Sequence, residues 1–194
     1  MDNAPVWMHA VLAVADSIRK RYTTQHTLRN GVSVVFRPIE CADNERFKEF
    51  FKSLSPASIH FRFLEIIKEL PNETVERFCK IDYNREMAIV AQPKGEDRIV
   101  AVIRLVLNDD RRHGEFALVT ADAWQGLGLG TELLGYIIKI AGDYGLEGLH
   151  CFISSDNLRM IGLAKKMGFK VTSTDDDTLK LALSLDGSDC IPIA

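Results

Sequence analysis

The chain has 194 residues, 46% of them hydrophobic and 26% charged, a balance that excludes a disordered or fibrous chain and suits one globular domain with a short appendage. Its formal net charge of −3 provides no whole-molecule attraction to nucleic acid or to an anionic membrane surface, so neither is expected as a partner. Cys41, Cys79, Cys151 and Cys190 form no CxxC or Cys/His cluster, which leaves no metal-site spacing and favours a reducing cytoplasm over a disulfide framework.

Along the chain, Val6 to Ala15 is an apolar run preceded by Asp2, interrupted by His9 and followed by Arg19-Lys20-Arg21. That charge order reverses a secretory signal, and the run is too short to span a bilayer. The pattern reads as an amphipathic helix to about residue 24, docked on the domain or on a partner, within an N-terminal helical extension over residues 1–27. A polar joint follows at Thr23-Thr24-Gln25-His26. After the Asn30-Gly31 turn signal, Val32 to Arg37 reads as a strand that Pro38 stops. Asp43 to Leu70 reads as helical, cut at Ser55-Pro56, with Phe47, Phe50, Phe51 and Leu54 in one half and Ile59, Phe63, Ile66, Ile67 and Leu70 in the other. Pro71 ends it, and a third helix runs from Glu73 to Cys79.

The period then changes. Glu86 to Ala91 is a short apolar strand, and Ile99 to Leu107 is one with two covered faces. Asn108-Asp109-Asp110 is a turn, and Glu115 to Thr120 the next strand. A glycine loop leads to a helix from Leu129 to Tyr144. Strand Leu149 to Ile153, helix Asn157 to Met167 and strands Phe169 to Ser173 and Thr178 to Leu185 complete a mixed α/β domain over residues 28–185. Residues 186–194 read as a flexible tail.

The most informative stretch is Trp124-Gln125-Gly126-Leu127-Gly128-Leu129-Gly130-Thr131, between a strand and a helix. Glycines let backbone N–H groups approach an anion, and a helix N-terminus favours a phosphate. A structural turn that merely tolerates glycine stands beside this reading. The dinucleotide fingerprint fits poorly, because Thr131 stands where Gly or Ala belongs and the loop lies late in the chain. A nucleotide-triphosphate loop needs Gly-Lys-Ser/Thr, which is missing.

What remains is Gln/Arg-x-x-Gly-x-Gly, met by Gln125, Gly128 and Gly130. It resembles the pyrophosphate-binding segment of GNAT acetyltransferases. A second stretch, Asn157-Leu158-Arg159-Met160-Ile161-Gly162-Leu163-Ala164-Lys165-Lys166-Met167-Gly168-Phe169, supplies a buried helical stripe and a glycine stop. It also resembles the second signature of that superfamily. The resemblance implies a central, mostly antiparallel sheet splayed at the cofactor site, with acetyl-CoA as co-substrate and no metal. It implies a cofactor-binding set of Leu118, Val119, Thr120, Gln125, Gly126, Leu127, Gly128, Leu129, Gly130, Thr131, Asn157, Met160, Leu163 and Lys166. Val35-Phe36-Arg37-Pro38-Ile39 with Asp43, Phe50-Phe51-Lys52-Ser53-Leu54-Ser55, Arg62-Phe63, Ile81 to Ala88 and Glu115-Phe116-Ala117 narrow the likeness to the acetyltransferase domain of bacterial Pat-type protein lysine acetyltransferases.

A lysine amine, with a pKa of about 10.4, must lose a proton before it attacks a thioester. Glu115, at the head of its strand, is the expected general base, where related enzymes carry a Glu; a solvated strand-end carboxylate is the plain alternative. A backbone N–H near Val119, freed by a splay or bulge, is the expected oxyanion donor. Ala164 stands where many relatives have a Tyr acid, so that role cannot be carried over. Cys151, inside an apolar strand, reads as buried rather than nucleophilic. Asp82, Arg85 and Glu86 read as a salt-bridged loop first and an acceptor mouth second. The resulting expectation is N-acetylation of a protein lysine, with acyl-CoA synthetases as clients by family analogy. The alternatives are a small-amine acetyltransferase (polyamine, amino acid or aminoglycoside), which an acidic acceptor groove would favour, and a non-catalytic acyl-CoA sensor. Homo-oligomerisation stays open.

Overall fold

The computed structural model describes residues 16–186. The Val6–Ala15 run and most of the expected tail therefore lie outside the described residues. In chain order come β1 (Thr24–Thr27), β2 (Ser33–Pro38), α1 (Asn44–Lys52), α2 (Pro56–Phe63), α3 (Asn72–Cys79), β3 (Glu86–Pro93), β4 (Ala101–Leu107) and β5 (His113–Thr120). After them come α4 (Leu129–Asp143), β6 (Gly148–Ser154), α5 (Leu158–Lys166), β7 (Lys170–Asp175) and β8 (Thr178–Ser184). One eight-stranded sheet has the order β1-β2-β3-β4-β5-β6-β8-β7. Every neighbouring pair is antiparallel except β5 and β6, so the expected mixed, mostly antiparallel architecture is present.

The strands have two covered faces because their alternate residues enter two different cores. Val34, Phe36, Met87, Ile89, Ala91, Ala101, Ile103 and Leu105 pack with Leu133, Leu134, Ile137 and Ile140 of α4, and with Ile161 and Ala164 of α5. Ala88, Val90 and Val102 point the other way, onto Phe47, Phe50, Phe51, Ile59, Val75 and Cys79 of α1, α2 and α3. A continuous apolar run in β3 and β4 is thus a strand between two helical layers.

Three local expectations change. Residues 16–21 are helical, but the polar stretch expected to be a joint is strand β1, paired with β2 from Thr24↔Phe36 to Thr27↔Ser33. An edge strand needs no apolar alternation on its solvent side, so its polar composition hid it. The second helical half ends at Phe63, not Leu70, because Leu64 turns to a left-handed φ of 57°. Ile66 is then 88% exposed, while Ile67 and Leu70 reach the second core from irregular backbone. Strand β5 starts two residues earlier than expected, at His113, where Asp110 accepts hydrogen bonds from the N–H groups of Arg112 (2.8 Å) and His113 (3.0 Å).

The start of α1 is locked to β2 by Asp43, which is 1% exposed. Arg37 of β2 donates from both Nη atoms to its two oxygens, each at 2.7 Å. The Glu40 N–H adds a bond of 2.8 Å, and Arg46 one of 3.2 Å. Burial alone would raise the Asp43 carboxyl; the Arg37 and Glu40 hydrogen bonds, with the charges of Arg37 and Arg46, outweigh it and hold the group below its usual range. The contribution of Asp43 is therefore present above its unfolded pKa and lost as pH falls through the lower folded value. Asp43→Asn keeps the shape but leaves Arg37 uncompensated, and urea unfolding should show a loss of about 3 kcal/mol; a loss within experimental error would remove Asp43 from this role.

Candidate active site

The sheet opens at one place. Strands β5 and β6 pair in parallel only at His113↔Gly148, Gly114↔Leu149 and Glu115↔His150. Beyond Glu115, β5 stays on β4 without a register shift, while β6 stays on β8. Asn108 N–H bonds His113 O at 2.9 Å, and Ala121 N–H bonds Val100 O at 2.9 Å. That alternation turns the backbone groups of Glu115, Ala117 and Val119 toward β4, and those of Phe116, Leu118 and Thr120 toward the opened side. Val119's own N–H therefore faces β4. The strand donors facing the opening are those of Leu118 and Thr120.

At the far end of β5 lies the glycine loop. Gly126 and Gly128 have left-handed φ angles of 78° and 90°, a backbone that residues with a Cβ rarely adopt. Left-handed residues alternating along a turn bring successive N–H groups to one side, the geometry of an anion nest. Among the described residues, the N–H groups of 126–130 have no hydrogen-bond acceptor, whereas those of Thr131 and Glu132 bond Gly128 O at 3.0 and 3.1 Å. The loop thus presents orphan donors at the N-terminus of α4, a 15-residue helix, where the helix dipole also favours an anion. Gly130 lies where α4, α5 and β5 meet: a Cβ there would stand in ordinary contact with Leu163 (3.4 Å) and Leu118 (3.5 Å).

Several residues expected to touch the cofactor also have partners within the protein. Gln125 donates from Nε2 to Ser58 Oγ and Thr120 O, both at 3.1 Å, and accepts from Arg159 at 3.0 Å. Asn157 caps α5 by accepting the Met160 N–H at 3.1 Å. Leu118, Met160 and Leu163 line the first core where it meets the loop, and Lys166 is exposed at the last turn of α5. Sequence reading missed the buttress beneath. Asp122 accepts from Ser55 N (2.9 Å), Ser55 Oγ (2.7 Å) and Ser58 Oγ (3.0 Å), which binds the start of α2 to the loop. Ser55-Pro56 is an N-cap followed by a helix-starting proline, a local signal of a beginning as much as of a break. It also missed Arg29, whose side-chain stem would lie 3.8 Å from a Cβ at Gly128.

On the other face, Glu115 borders a cleft of about 290 Å³ lined by Arg62, Phe63, Arg77, Phe78, Glu86, Arg104, Val106, Glu115 and Ala117. A narrow apolar recess continues from it past Phe47, Phe50 and Phe51 to Val119. The cleft therefore lies between helices α1–α3 and the strand that opens. Glu115 is half exposed, yet the cleft walls desolvate it and raise its pKa; the charges of Arg62 and Lys180 oppose that rise. Its neighbour His150 is 3.8 Å away and buried. Burial, reinforced by Lys180 and His113, pulls His150 down to about 4, so this contact joins a carboxylate to a neutral ring near neutral pH.

The other chemically active groups resolve simply. Burial and the charge of Glu115 push the Cys151 thiol up to about 12, the opposite of an activated nucleophile. Glu86 enters the cleft and pairs with Arg104, whereas Asp82 bonds the Asn84 N–H at 3.1 Å and Arg85 meets Asp109 at 3.5 Å. The expected loop cluster is thus split between cleft wall and loop. Ala164 is fully buried, and the four tyrosines, Tyr22, Tyr83, Tyr136 and Tyr144, all belong to the first core.

The acetyltransferase (GNAT) family model matches residues 48–169, which contain the glycine loop, Glu115 and the whole cleft. An acetyltransferase of Pseudomonas aeruginosa is 34% identical over 157 residues, covering 80% of this chain and 84% of that protein. The crystal structure of the GNAT domain of Streptomyces lividans PAT superposes with a TM-score of 0.80 at 24% identity, over 85% of this chain and 98% of the other. A spermidine N-acetyltransferase from Vibrio cholerae, in complex with CoA and spermine, gives a TM-score of 0.64 at 16% identity, over 78% and 95%. With a sheet that parts beside a nest of orphan N–H groups, and with these relatives, the chain belongs to the GNAT family of acetyl-CoA-dependent N-acetyltransferases.

Proposed function

We propose that this protein transfers the acetyl group of acetyl-CoA to the ε-amine of protein lysines, with Glu115 as general base. The observation that carries the reading is the position of Glu115. It is the last residue of β5 paired with β6, and its side chain faces the cleft. The pyrophosphate rests on the N–H groups of residues 126–130, with Gln125 bracing the loop and Arg29 adding positive charge. The pantetheine arm runs along the opened edge of β5, where the backbone groups of Leu118 and Thr120 substitute for the missing strand. The extension over 1–27 contributes β1 to the sheet edge, 28–185 form the catalytic domain, and the setting is cytoplasmic.

Glu115, directly or through a water, takes a proton from the lysine ammonium, and the nitrogen lone pair forms a bond to the thioester carbonyl carbon. A strand N–H facing the opening stabilises the resulting oxyanion. Collapse breaks the C–S bond, the thiolate departs with the bonding pair, and the attacking nitrogen sheds its second proton to water to give the neutral amide. Its conjugate thiol has a pKa of about 8.5, so water suffices as proton source where Ala164 replaces the common tyrosine. The proton gathered on Glu115 returns to solvent. Elevation of the Glu115 pKa by burial makes the carboxylate a stronger base than a free one. The protein-lysine reading is favoured over a polyamine because the cleft is not acidic: three arginines and two glutamates line it.

Turnover is measured by free-thiol release with a purified acyl-CoA synthetase beside lysine peptides and a panel of small amines. A lysine mass shift on the protein is the expected result; release with a polyamine alone would overturn the acceptor assignment. Glu115→Gln should retain acetyl-CoA affinity and lose about 10²–10⁴ in rate. The wild-type acid limb of kcat/KM should lie above the ordinary glutamate range, with activity lost as pH falls through the raised pKa. An unchanged rate in Glu115→Gln would remove Glu115 from the chemistry. Gly128→Asp forces a side chain into a left-handed site and sets a negative charge beside the pyrophosphate. Calorimetry should show acetyl-CoA binding abolished, and retained affinity would displace the cofactor from the loop.

A further inference from the structure

Beyond the base, the cleft holds charge that the fold does not use. Arg104 is committed, pairing with Glu86 and donating to Phe78 O. Among the described residues, neither Arg62 nor Arg77 has a carboxylate within 4.0 Å or a hydrogen bond to any acceptor. Their guanidinium groups instead lie on aromatic faces, Arg62 at 5.0 Å from the centre of Phe63 and Arg77 at 5.0 Å from that of Phe78. The Phe63 and Phe78 rings are themselves stacked, at 6.4 Å and 16°. Phe78 also carries Arg104 at 5.1 Å.

Arg62 differs from an ordinary surface arginine. It borders both the cleft and the apolar recess behind it. Burial, with the repulsion of Arg104, lowers its pKa to about 10 against the opposing pull of Glu115, so it is fully charged at neutral pH. Arg62 is half-buried, and a partly shielded guanidinium with no carboxylate partner favours an incoming anion. Resting on Phe63 holds its plane and leaves its N–H donors open to the cleft at the edge. Once the Arg104–Glu86 pair is set aside, the cleft offers one carboxylate, Glu115, and two guanidinium groups. A bare cation meets net repulsion there. A group bearing both an amine and a carboxylate meets complementary charge at both ends.

We propose that Arg62, assisted by Arg77, is the seat for a carboxylate that the acceptor carries beside its reactive amine. This deepens the lysine-acetylation reading and rests on Glu115 marking where the amine lies. The carboxylate has two sources, an acidic residue next to the acceptor lysine or the α-carboxylate of an amino acid. In either case a polyamine is excluded as a good acceptor.

The test uses near-isosteric twins that differ by one carboxylate, with the full-length protein. An Nα-acetylated Lys-Glu amide is compared with its Lys-Gln twin, free lysine with lysinamide, and spermidine is run alongside, each by thiol release at saturating acetyl-CoA. The wild type should favour one or both carboxylate twins by about tenfold or more in kcat/KM. Arg62→Ala should erase that preference, and Arg62→Lys should restore part of it. Preference in the Lys-Glu pair alone identifies a neighbouring acidic residue as the source. Preference in the free-lysine pair alone identifies the α-carboxylate. Equal rates for all twins in the wild type, or a preference that survives Arg62→Ala, would overturn the seat. If no acceptor is turned over, the lysine-acetylation reading fails separately. Calorimetric binding of the same twins to the CoA-loaded protein then decides the seat: a carboxylate preference lost in Arg62→Ala supports it, and equal affinities refute it.

Discussion

A β-strand edge buried without partners leaves donors and acceptors unsatisfied, and folded chains seldom tolerate that. Here the edge of β5 beyond Glu115 is left unpaired and only partly buried. The β4–β5 ladder holds one side of the sheet through Thr120, and the β6–β8 ladder holds the other through Ser154. Between them the parallel pairing stops after three residue pairs. Leu118 of β5 and Leu163 of α5 both lie beside Gly130 at the loop end of the opening. On the proposed function the exposed edge receives the strand-like amides of the pantetheine arm, and the orphan N–H groups of the loop, at the end of that strand, receive the phosphates. The proposed base, the opened edge and the proposed phosphate nest are consecutive along one stretch of chain, Glu115 to Gly130. A single parting of strands therefore sets all three.

That continuity explains why so much of the site was legible. A strand, a glycine loop and a helix start are local features, and their spacing along the chain equals their order in space. Glu115 was identifiable as an isolated carboxylate at a strand head. Glycines at 126 and 128 were identifiable because a positive φ at both positions excludes most other residues. The period-two and helical patterns located the two-faced sheet because its alternate residues enter two cores.

What stayed hidden depends on long-range partners. Gln125 carries a motif position, but its side chain is held by Ser58 and Arg159, 67 and 34 residues away in sequence. No local pattern announces this. Arg62 read only as part of a resemblance. Its significance comes from what it lacks, a carboxylate, and a lack becomes visible only when Glu86 is seen to choose Arg104. The strand β1 and the end of α2 escaped for a related reason. The first is a polar edge, and the second is set by one left-handed residue, Leu64, inside a pattern that otherwise continues.

The electrostatics of the cleft give Arg62 a second consequence. In the unliganded protein two effects compete on Glu115: burial raises its pKa, and the charges of Arg62 and Lys180 lower it. A free cation so placed keeps the carboxylate ionised and ready, at the expense of its basicity. On the proposal above, an acceptor carboxylate neutralises Arg62 as the amine arrives. The restraint on Glu115 then weakens while desolvation increases, and both changes raise its proton affinity. A base that strengthens when the correct acceptor binds discriminates in the chemical step as well as in binding. A cationic acceptor lacking the carboxylate would leave Arg62 charged and Glu115 weaker. The same unpaired arginine would thus select the acceptor twice, once by contact and once through the base.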